Sequence, residues 1–243
     1  MGNKLAGPYL RSMRLKREMV ASFVGYPFCL PAVKELEELA FHPKVTFLVG
    51  ENGSGKSTLL EAVAIASHLN PEGGSNNFRF RTRSSHSELY RFLELAWRRT
   101  PLDRFFLRAE SFYNVATEVE NIGMFAAYGG LLHEQSHGES FFSLFTNRFR
   151  GDGLYLLDEP EAALSPNRQM SLLTLMHDYC RQGSQFIIAT HSPIILAYPD
   201  ALIYHLSDQG VNEILYEDTE HYRVTKMFLT RTQKMLDQLL ADD

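Results

Sequence analysis

Val45-Thr46-Phe47-Leu48-Val49 followed by Gly50-Glu51-Asn52-Gly53-Ser54-Gly55-Lys56-Ser57-Thr58 is the stretch on which the fold turns. The first five residues have the β-branched and apolar composition of a strand buried on both faces. The next nine fit the pattern of Gly, four residues, then Gly-Lys-Ser. Residues 59–66 are helix formers. Strand, glycine-rich loop and helix in that order make a cradle in which successive backbone N–H groups point at a phosphate chain, at the positive end of a helix dipole. Asn52, Gly53, Ser54, Gly55, Lys56, Ser57 and Thr58 are the expected phosphate contacts. Lys56 has the reach for the β- and γ-phosphates of ATP, and the Ser57 hydroxyl suits a Mg²⁺ ion. A glycine-rich turn that binds nothing leaves the Lys-Ser pair unexplained.

The bulk properties bound the reading. The chain has 243 residues, 44% hydrophobic and 22% charged, which suits an ordinary globular protein. That length accommodates one α/β core, read here as a single domain over 1–243, although two small domains would also fit. A formal net charge of −5 excludes coating of nucleic acid by bulk charge but not a local basic patch. No apolar run is long enough to span a bilayer, so no integral membrane segment is expected. Lys4, Arg11, Arg14, Lys16 and Arg17 interrupt any signal-peptide core. Cys29 and Cys180 have neither metal-site nor redox spacing and read as reduced thiols of a cytoplasmic protein.

Along the chain, residues 9–30 read as an antiparallel pair of strands and residues 31–40 as a short helix or turn. Residues 70–77 read as a loop, 78–83 as a strand by their alternation, and 87–99 as a helix. Further strands are expected at 105–107, 154–157, 185–189, 201–206 and 211–216. Helices are expected at 138–149, 167–181 and 220–240, the last carrying Val224, Phe228, Met235 and Leu239 on one stripe. Strands alternating with helices around a phosphate loop imply an α/β fold with a mainly parallel, helix-flanked sheet.

Two further strand ends carry chemistry. Residues 154–157 lead into Asp158-Glu159-Pro160, where a buried strand delivers an Asp to hold Mg²⁺ beside a phosphate loop. Glu159 is then placed to orient a water toward the γ-phosphate, and is the expected general base. Without the phosphate loop, a solvated acidic turn would be the better reading. Thr190-His191-Ser192-Pro193 ends the next apolar strand, which sets the His191 imidazole on the edge where such sheets bind ligands.

With these elements in this order, and with Glu161-Ala162-Ala163-Leu164-Ser165-Pro166 after the acidic pair, the chain resembles the ATP-binding cassette ATPases over residues 11–206. It is most similar to their soluble branch, related to DNA-repair and chromosome-maintenance ATPases, and within it to small bacterial ATPases without an attached transporter. The resemblance implies a P-loop fold with a small N-terminal antiparallel β element and a reduced helical subdomain over about 84–150. It assigns Asp158 to the Walker B position, Glu159 to the catalytic Glu and His191 to the switch histidine, with residues 163–166 in the D-loop position. Gln135-Ser136-His137-Gly138-Glu139 stands where the family carries Leu-Ser-Gly-Gly-Gln, so Ser136 and Gly138 are expected to meet the nucleotide of a second subunit in an ATP-dependent homodimer. Taken alone, that stretch also reads as a capping box. Glu110 takes the place of the family's Q-loop Gln as a third Mg²⁺ contact. Tyr9, Phe23 and Tyr26 are the candidates for an adenine-stacking ring, with core packing the alternative for each.

About twenty-five residues separate Ser111 from Ser136, too few for coiled-coil arms and for a full transporter-coupling subdomain. The sequence therefore reads as a Mg-dependent ATP hydrolase working as a dimerising switch through an effector partner, in a DNA-related or defence process. The nucleotide-binding subunit of a membrane transporter is the second reading, and a small-molecule kinase the third. Arg79, Arg81 and Arg83, with Arg98, Arg99, Arg148 and Arg150, leave DNA open as a partner, against a plain solvated strand face. The histidines at 42, 68, 86, 133, 177, 205 and 221 show no ligand spacing, so no transition-metal site is expected.

Overall fold

The computed structural model describes residues 9–74, 87–121, 123 and 137–241. In chain order they form β1 (Leu10–Leu15), α1 (Pro31–Lys34), β2 (Glu38–Ala40), β3 (Val45–Val49), α2 (Lys56–Ala66) and β4 (Leu93–Trp97). There follow β5 (Asp103–Arg108), α3 (Phe112–Asn121), α4 (His137–Asn147), β6 (Gly153–Asp158), α5 (Pro166–Arg181) and β7 (Gln185–Ala189). The chain continues through α6 (Pro193–Leu196), β8 (Leu202–Ser207), β9 (Gly210–Glu213), α7 (Glu220–Thr230) and α8 (Thr232–Leu239).

β5, β6, β7, β3 and β8 are parallel neighbours in that order, and β9 closes the edge as an antiparallel hairpin partner of β8. The period of two in each strand sorts side chains onto two faces. Phe47, Phe105, Leu107, Tyr155, Leu157, Phe186 and Ile188 pack with Phe112, Phe141, Phe145, Leu172 and Met176 of α3, α4 and α5. Their neighbours Leu48, Phe106, Leu154, Leu156, Ile187 and Ala189 pack on the other face with Leu59, Leu60 and Val63 of α2 and with the small sheet. That sheet has the order β2-β1-β4 and is antiparallel throughout. A mainly parallel sheet between helices, with a small antiparallel sheet beside it, is the architecture expected of the sequence.

Local expectations fail where distant pairing outweighs local pattern. Residues 9–30 do not pair with each other: β1 is the one strand there, followed by a 3₁₀ turn at Arg17–Met19, and Met13 finds Leu39 and Leu95 as its cross-strand partners much later in the chain. Residues 87–99 are not a helix but a short 3₁₀ turn, Glu88–Phe92, running into β4. Their helix-forming Glu, Leu and Ala yield to pairing with β1, as propensity does when tertiary partners exist. The helix expected at 220–240 breaks at Arg231 (φ −136°, ψ 34°) into α7 and α8. Its apolar stripe is only partly covered: Val224 and Leu239 are 46% and 69% exposed, whereas Phe228 and Met235 are half-buried. The expected strand at 78–83 and its three arginines lie outside the described residues.

One polar side chain ties the two sheets together. Gln185, fully buried at the start of β7, accepts from Leu10 N–H at 3.0 Å and donates to Leu10 O at 2.9 Å and His42 O at 3.0 Å. Gln185→Leu keeps the bulk but orphans those buried backbone groups, each at a cost of about 1–3 kcal/mol. A loss of about 3 kcal/mol or more in urea denaturation is expected, and an unchanged midpoint would show that the bridge carries no weight.

Candidate functional site

The site forms where β3, β6 and β7 end. Parallel register sets Arg108 opposite Asp158, Asp158 opposite Ala189, and Ala189 opposite Leu48, so the loops that leave these strands converge on one edge. The loop after β3 turns on Gly50, Gly53 and Gly55, all at positive φ, before α2 begins at Lys56. At Gly50 a Cβ would stand 2.3 Å from the Leu206 carbonyl oxygen, a contact no side chain survives. Lys56 is buried, and its Nζ donates to the Gly50 and Glu51 carbonyls, each at 2.8 Å. Burial lowers its pKa, while Glu159, Asp158 and Glu161 pull the other way.

Ser57 Oγ donates to Asp158 Oδ1 at 2.9 Å, which joins the first turn of α2 to the end of β6. Burial pushes the Asp158 carboxyl up to about 6, against the pull of Arg108 and the Ser57 hydrogen bond. Arg108 sends Nε to within 3.4 Å of Asp158 Oδ2, Nη1 to 2.7 Å from Glu61 and Nη2 to 3.5 Å from Glu110. Glu110 itself is 87% exposed at the side chain, on the outer side of Arg108.

Glu159 follows at once in a left-handed backbone conformation (φ 51°, ψ 51°), its N–H donating to Ala189 O at 2.9 Å. Its Oε1 lies 3.6 Å from His191 Nε2. The His191 segment is clamped by one carboxylate: Glu161 accepts from the His191 N–H at 2.5 Å and from the Thr190 hydroxyl at 2.7 Å. Ser192 caps α6 and donates to Gln169 at 2.6 Å.

A cavity of about 170 Å³ opens over Gly53, Gly55, Lys56, Ser57 and Thr58, with Asn52, Leu30, Tyr26 and Glu159 on its rim. Tyr26, 64% exposed and 3.2 Å from the Thr58 hydroxyl, is the one adenine candidate that reaches it. Tyr9 is 1% exposed, beneath Arg99 and hydrogen-bonded to Asp152, and Phe23 packs against Phe28 and Arg17. Tyr9 is therefore a core residue.

The cavity suits a phosphate chain and a hard cation. Ser54, in the same loop, lines a second cavity that shares Asn52 and Gly53 with this one, and its Oγ is buried with no hydrogen-bond partner among the described residues. Ser57 and Asp158 offer two oxygen donors of the kind Mg²⁺ takes, and a carboxylate that burial makes hard to ionise is one that a cation would relieve. Among the described residues there is no cluster of His, Cys, Asp and Glu that could hold a transition metal.

Of the two signature residues, Ser136 lies outside the described residues, and Gly138 lies in the first turn of α4. A Cβ on Gly138 would come 2.9 Å from Ala163 O and 3.3 Å from Arg168 Nη1, so glycine there lets α4 seat on the residues between β6 and α5. Sequence reasoning passed over Arg108, Glu161 and His221. Arg108 had a legible signal, a cation at a strand end facing the acidic pair. His221 had none, because only the fold brings it to His191, with His221 Nε2 2.9 Å from His191 Nδ1.

Comparison with known proteins bears on the fold. A family profile described as "AAA domain, putative AbiEii toxin, Type IV TA system" matches residues 125–197, and one described as "AAA domain" matches residues 22–100. A solved structure described as "an inward-facing conformation of a putative metal-chelate type ABC transporter" superposes with a TM-score of 0.51 at 16% identity, covering 89% of this chain and 88% of the other. The fold is that of an ATP-binding cassette ATPase. The macrolide export ATP-binding/permease protein MacB of Marinobacter nauticus is 24% identical over 203 residues, 73% of this chain. The chain spans 31% of the length of that relative. The SMC head domain from Thermotoga maritima shares 15% identity with it, over 84% of this chain and 98% of the other, at a TM-score of 0.46. No helix among the described residues is long and apolar enough to cross a membrane.

The Asp158 shift has a consequence for stability with a definite sign. Because its folded pKa is raised from 3.8 to about 6, the cost of its ionisation is absent below pH 4 and fully present above pH 6. Asp158→Asn removes that cost while keeping an acceptor for Ser57. The variant is expected to be more stable than the parent at pH 7.5, by up to about 3 kcal/mol, with the gap closing at pH 4. Urea denaturation at the two pH values checks this, and a gap of the same size at both would contradict it.

Proposed function

We propose that this protein is a Mg-dependent ATP hydrolase that acts as an ATP-driven dimerising switch. The observation that carries this reading is the meeting of Lys56, Ser57, Asp158 and Glu159 at one edge of one parallel sheet, beside a cavity lined by the glycine-rich loop. Lys56 would leave the Gly50 and Glu51 carbonyls for the β- and γ-phosphates of the substrate. Ser57 and Asp158 would hold Mg²⁺, with Glu110 as the outer candidate contact, and the ion would offset the charge on the phosphate oxygens. Glu159 would take the proton from the attacking water as that water's oxygen bonds the γ-phosphorus and ADP leaves. His191, 3.6 Å from Glu159, would fix the orientation of that carboxylate and donate to a γ-phosphate oxygen. Tyr26, at the cavity rim, would stack on the adenine.

Ser136 and Gly138 would complete the pocket of a second copy, as the resemblance implies, with α4 seated on residues 163–168 so that the two parts move together. The resemblance and the toxin-related family description support a role in the cytoplasm in a DNA-related or defence process, through an effector partner. The likeness to an export ATP-binding/permease protein supports a second reading, a transporter's nucleotide-binding subunit. ATP-induced dimerisation of the purified chain free of membranes separates the two, since a transporter subunit is expected to copurify with a membrane partner.

Two variants test the chemistry. Lys56→Ala removes the cation aimed at the β- and γ-phosphates and is expected to weaken ATP binding at least a hundredfold (about 3 kcal/mol or more) by calorimetry. Equal affinity in mutant and parent would refute the phosphate-loop assignment. Glu159→Gln keeps shape and affinity but removes the base. It is expected to hydrolyse ATP about a hundredfold more slowly and to accumulate as a MgATP-bound dimer in size-exclusion chromatography, and parental turnover would rule Glu159 out as the base.

A further inference from the structure

His221 stands in the first turn of α7, thirty positions after His191, and is the partner of the His191 ring. The His191 Nδ1 to His221 Nε2 distance is 2.9 Å, with ring centroids 5.0 Å apart and planes at 61°. A hydrogen bond between two imidazoles needs one proton between them, and which ring supplies it follows from the other two nitrogens. His191 Nε2 faces the Glu159 carboxylate at 3.6 Å. An N–H is attracted by that oxygen and a lone pair is repelled, so the His191 proton belongs on Nε2. His191 Nδ1 is then the acceptor, and His221 Nε2–H the donor. His221 Nδ1 is left bare; both it and His191 Nε2 are buried with no hydrogen-bond partner among the described residues, so the tautomer is set by the charge of the Glu159 carboxylate at 3.6 Å and not by a formed hydrogen bond.

The surroundings keep His221 neutral and in place. Burial is the main cause holding its pKa below the ordinary histidine value; His191, Lys56 and His205 add to that and Glu220 opposes it. Its turn is fastened to the segment that follows His191. Thr219 caps α7 by accepting from Tyr222 N–H at 3.4 Å, and its hydroxyl donates to Tyr216 O at 2.7 Å. The Tyr216 hydroxyl donates to Pro193 O at 2.9 Å, two residues beyond His191.

We propose that His221 is a positioning residue: its Nε2–H holds His191 in the tautomer that presents Nε2–H to Glu159 and to the γ-phosphate of ATP. This rests on the reading of His191 given above. The switch histidine is thereby joined to α7, an element outside the phosphate-binding strands.

The test has a readout that needs no substrate. In protein labelled with ¹⁵N-histidine, and assigned by loss of signal in His191→Gln, His191 is expected to show a protonated Nε2 and a bare Nδ1. The opposite tautomer overturns the proposal. His221→Leu, which fills space without donating, is expected to let the His191 tautomers mix. It should also lower kcat about tenfold or more, with KM for ATP within about threefold of the parent. His221→Gln, whose amide N–H replaces the donor, is expected to restore most of both. Thermal melting identifies any His221→Leu protein that has failed to fold, in which case the parent spectrum and His221→Gln decide. His191→Ala separates two kinds of failure. Parental hydrolysis by His191→Ala refutes the role of His191, whereas slow hydrolysis by it beside parental hydrolysis by a folded His221→Leu refutes only the positioning by His221. In the double variant, the effect of losing His221 should vanish once His191 is gone, and additive losses would count against the proposal.

Discussion

The parallel register of β3, β7 and β6 is the constraint on which the site depends. Because Leu48, Ala189 and Asp158 share one row, the phosphate loop, the acidic pair and the His191 segment all start from the same height above the sheet. A one-residue slip in β6 would turn Asp158 to the opposite face and replace it with Leu157 or Glu159. The packing on each side resists that slip: Leu154 and Leu156 fill one interior, Tyr155 and Leu157 the other. The hydrophobic core and the geometry of the candidate site are thus set by the same alternation.

Polar groups at this edge are arranged before any substrate arrives. Lys56 rests on two loop carbonyls, Ser57 on Asp158, and the Thr190–His191 backbone on Glu161. Arg108 stands between Asp158, Glu61 and Glu110 as an internal counter-charge. On the proposed reading, such pre-set dipoles and charges would lower the reorganisation required as charge develops on a transferred phosphoryl group. Burial raises the Asp158 pKa, and Arg108 and the Ser57 hydrogen bond offset only part of that rise.

The sequence was most legible where local chemistry and fold agree. Glycine spacing, a buried apolar run and a terminal Asp-Glu pair are short-range signals, and the strands at 45–49, 153–158 and 185–189 lie where those signals put them. It was least legible where the partner is remote. Nothing in residues 93–97 announces β1 as their neighbour, and a Glu-Leu-Ala run reads as helix until that pairing exists. Arg231 carries no Gly or Pro to mark the break between α7 and α8. The His191–His221 contact and the Glu161 clamp are likewise products of the fold, because side chains thirty positions apart have no spacing rule.

The backbone at Glu159 imposes a tension between folding and activity. Left-handed φ and ψ are costly for any residue with a Cβ, on the order of 1–2 kcal/mol, and nearly free for glycine. Folding alone would favour glycine at this position. The carboxylate is instead set at the tip of a turn that pushes it clear of the sheet and toward His191, and that turn is held by one N–H to Ala189 and by Pro160 behind it. On the proposed reading, the inexpensive substitution at this position, glycine, would give a sturdier protein that has lost its base.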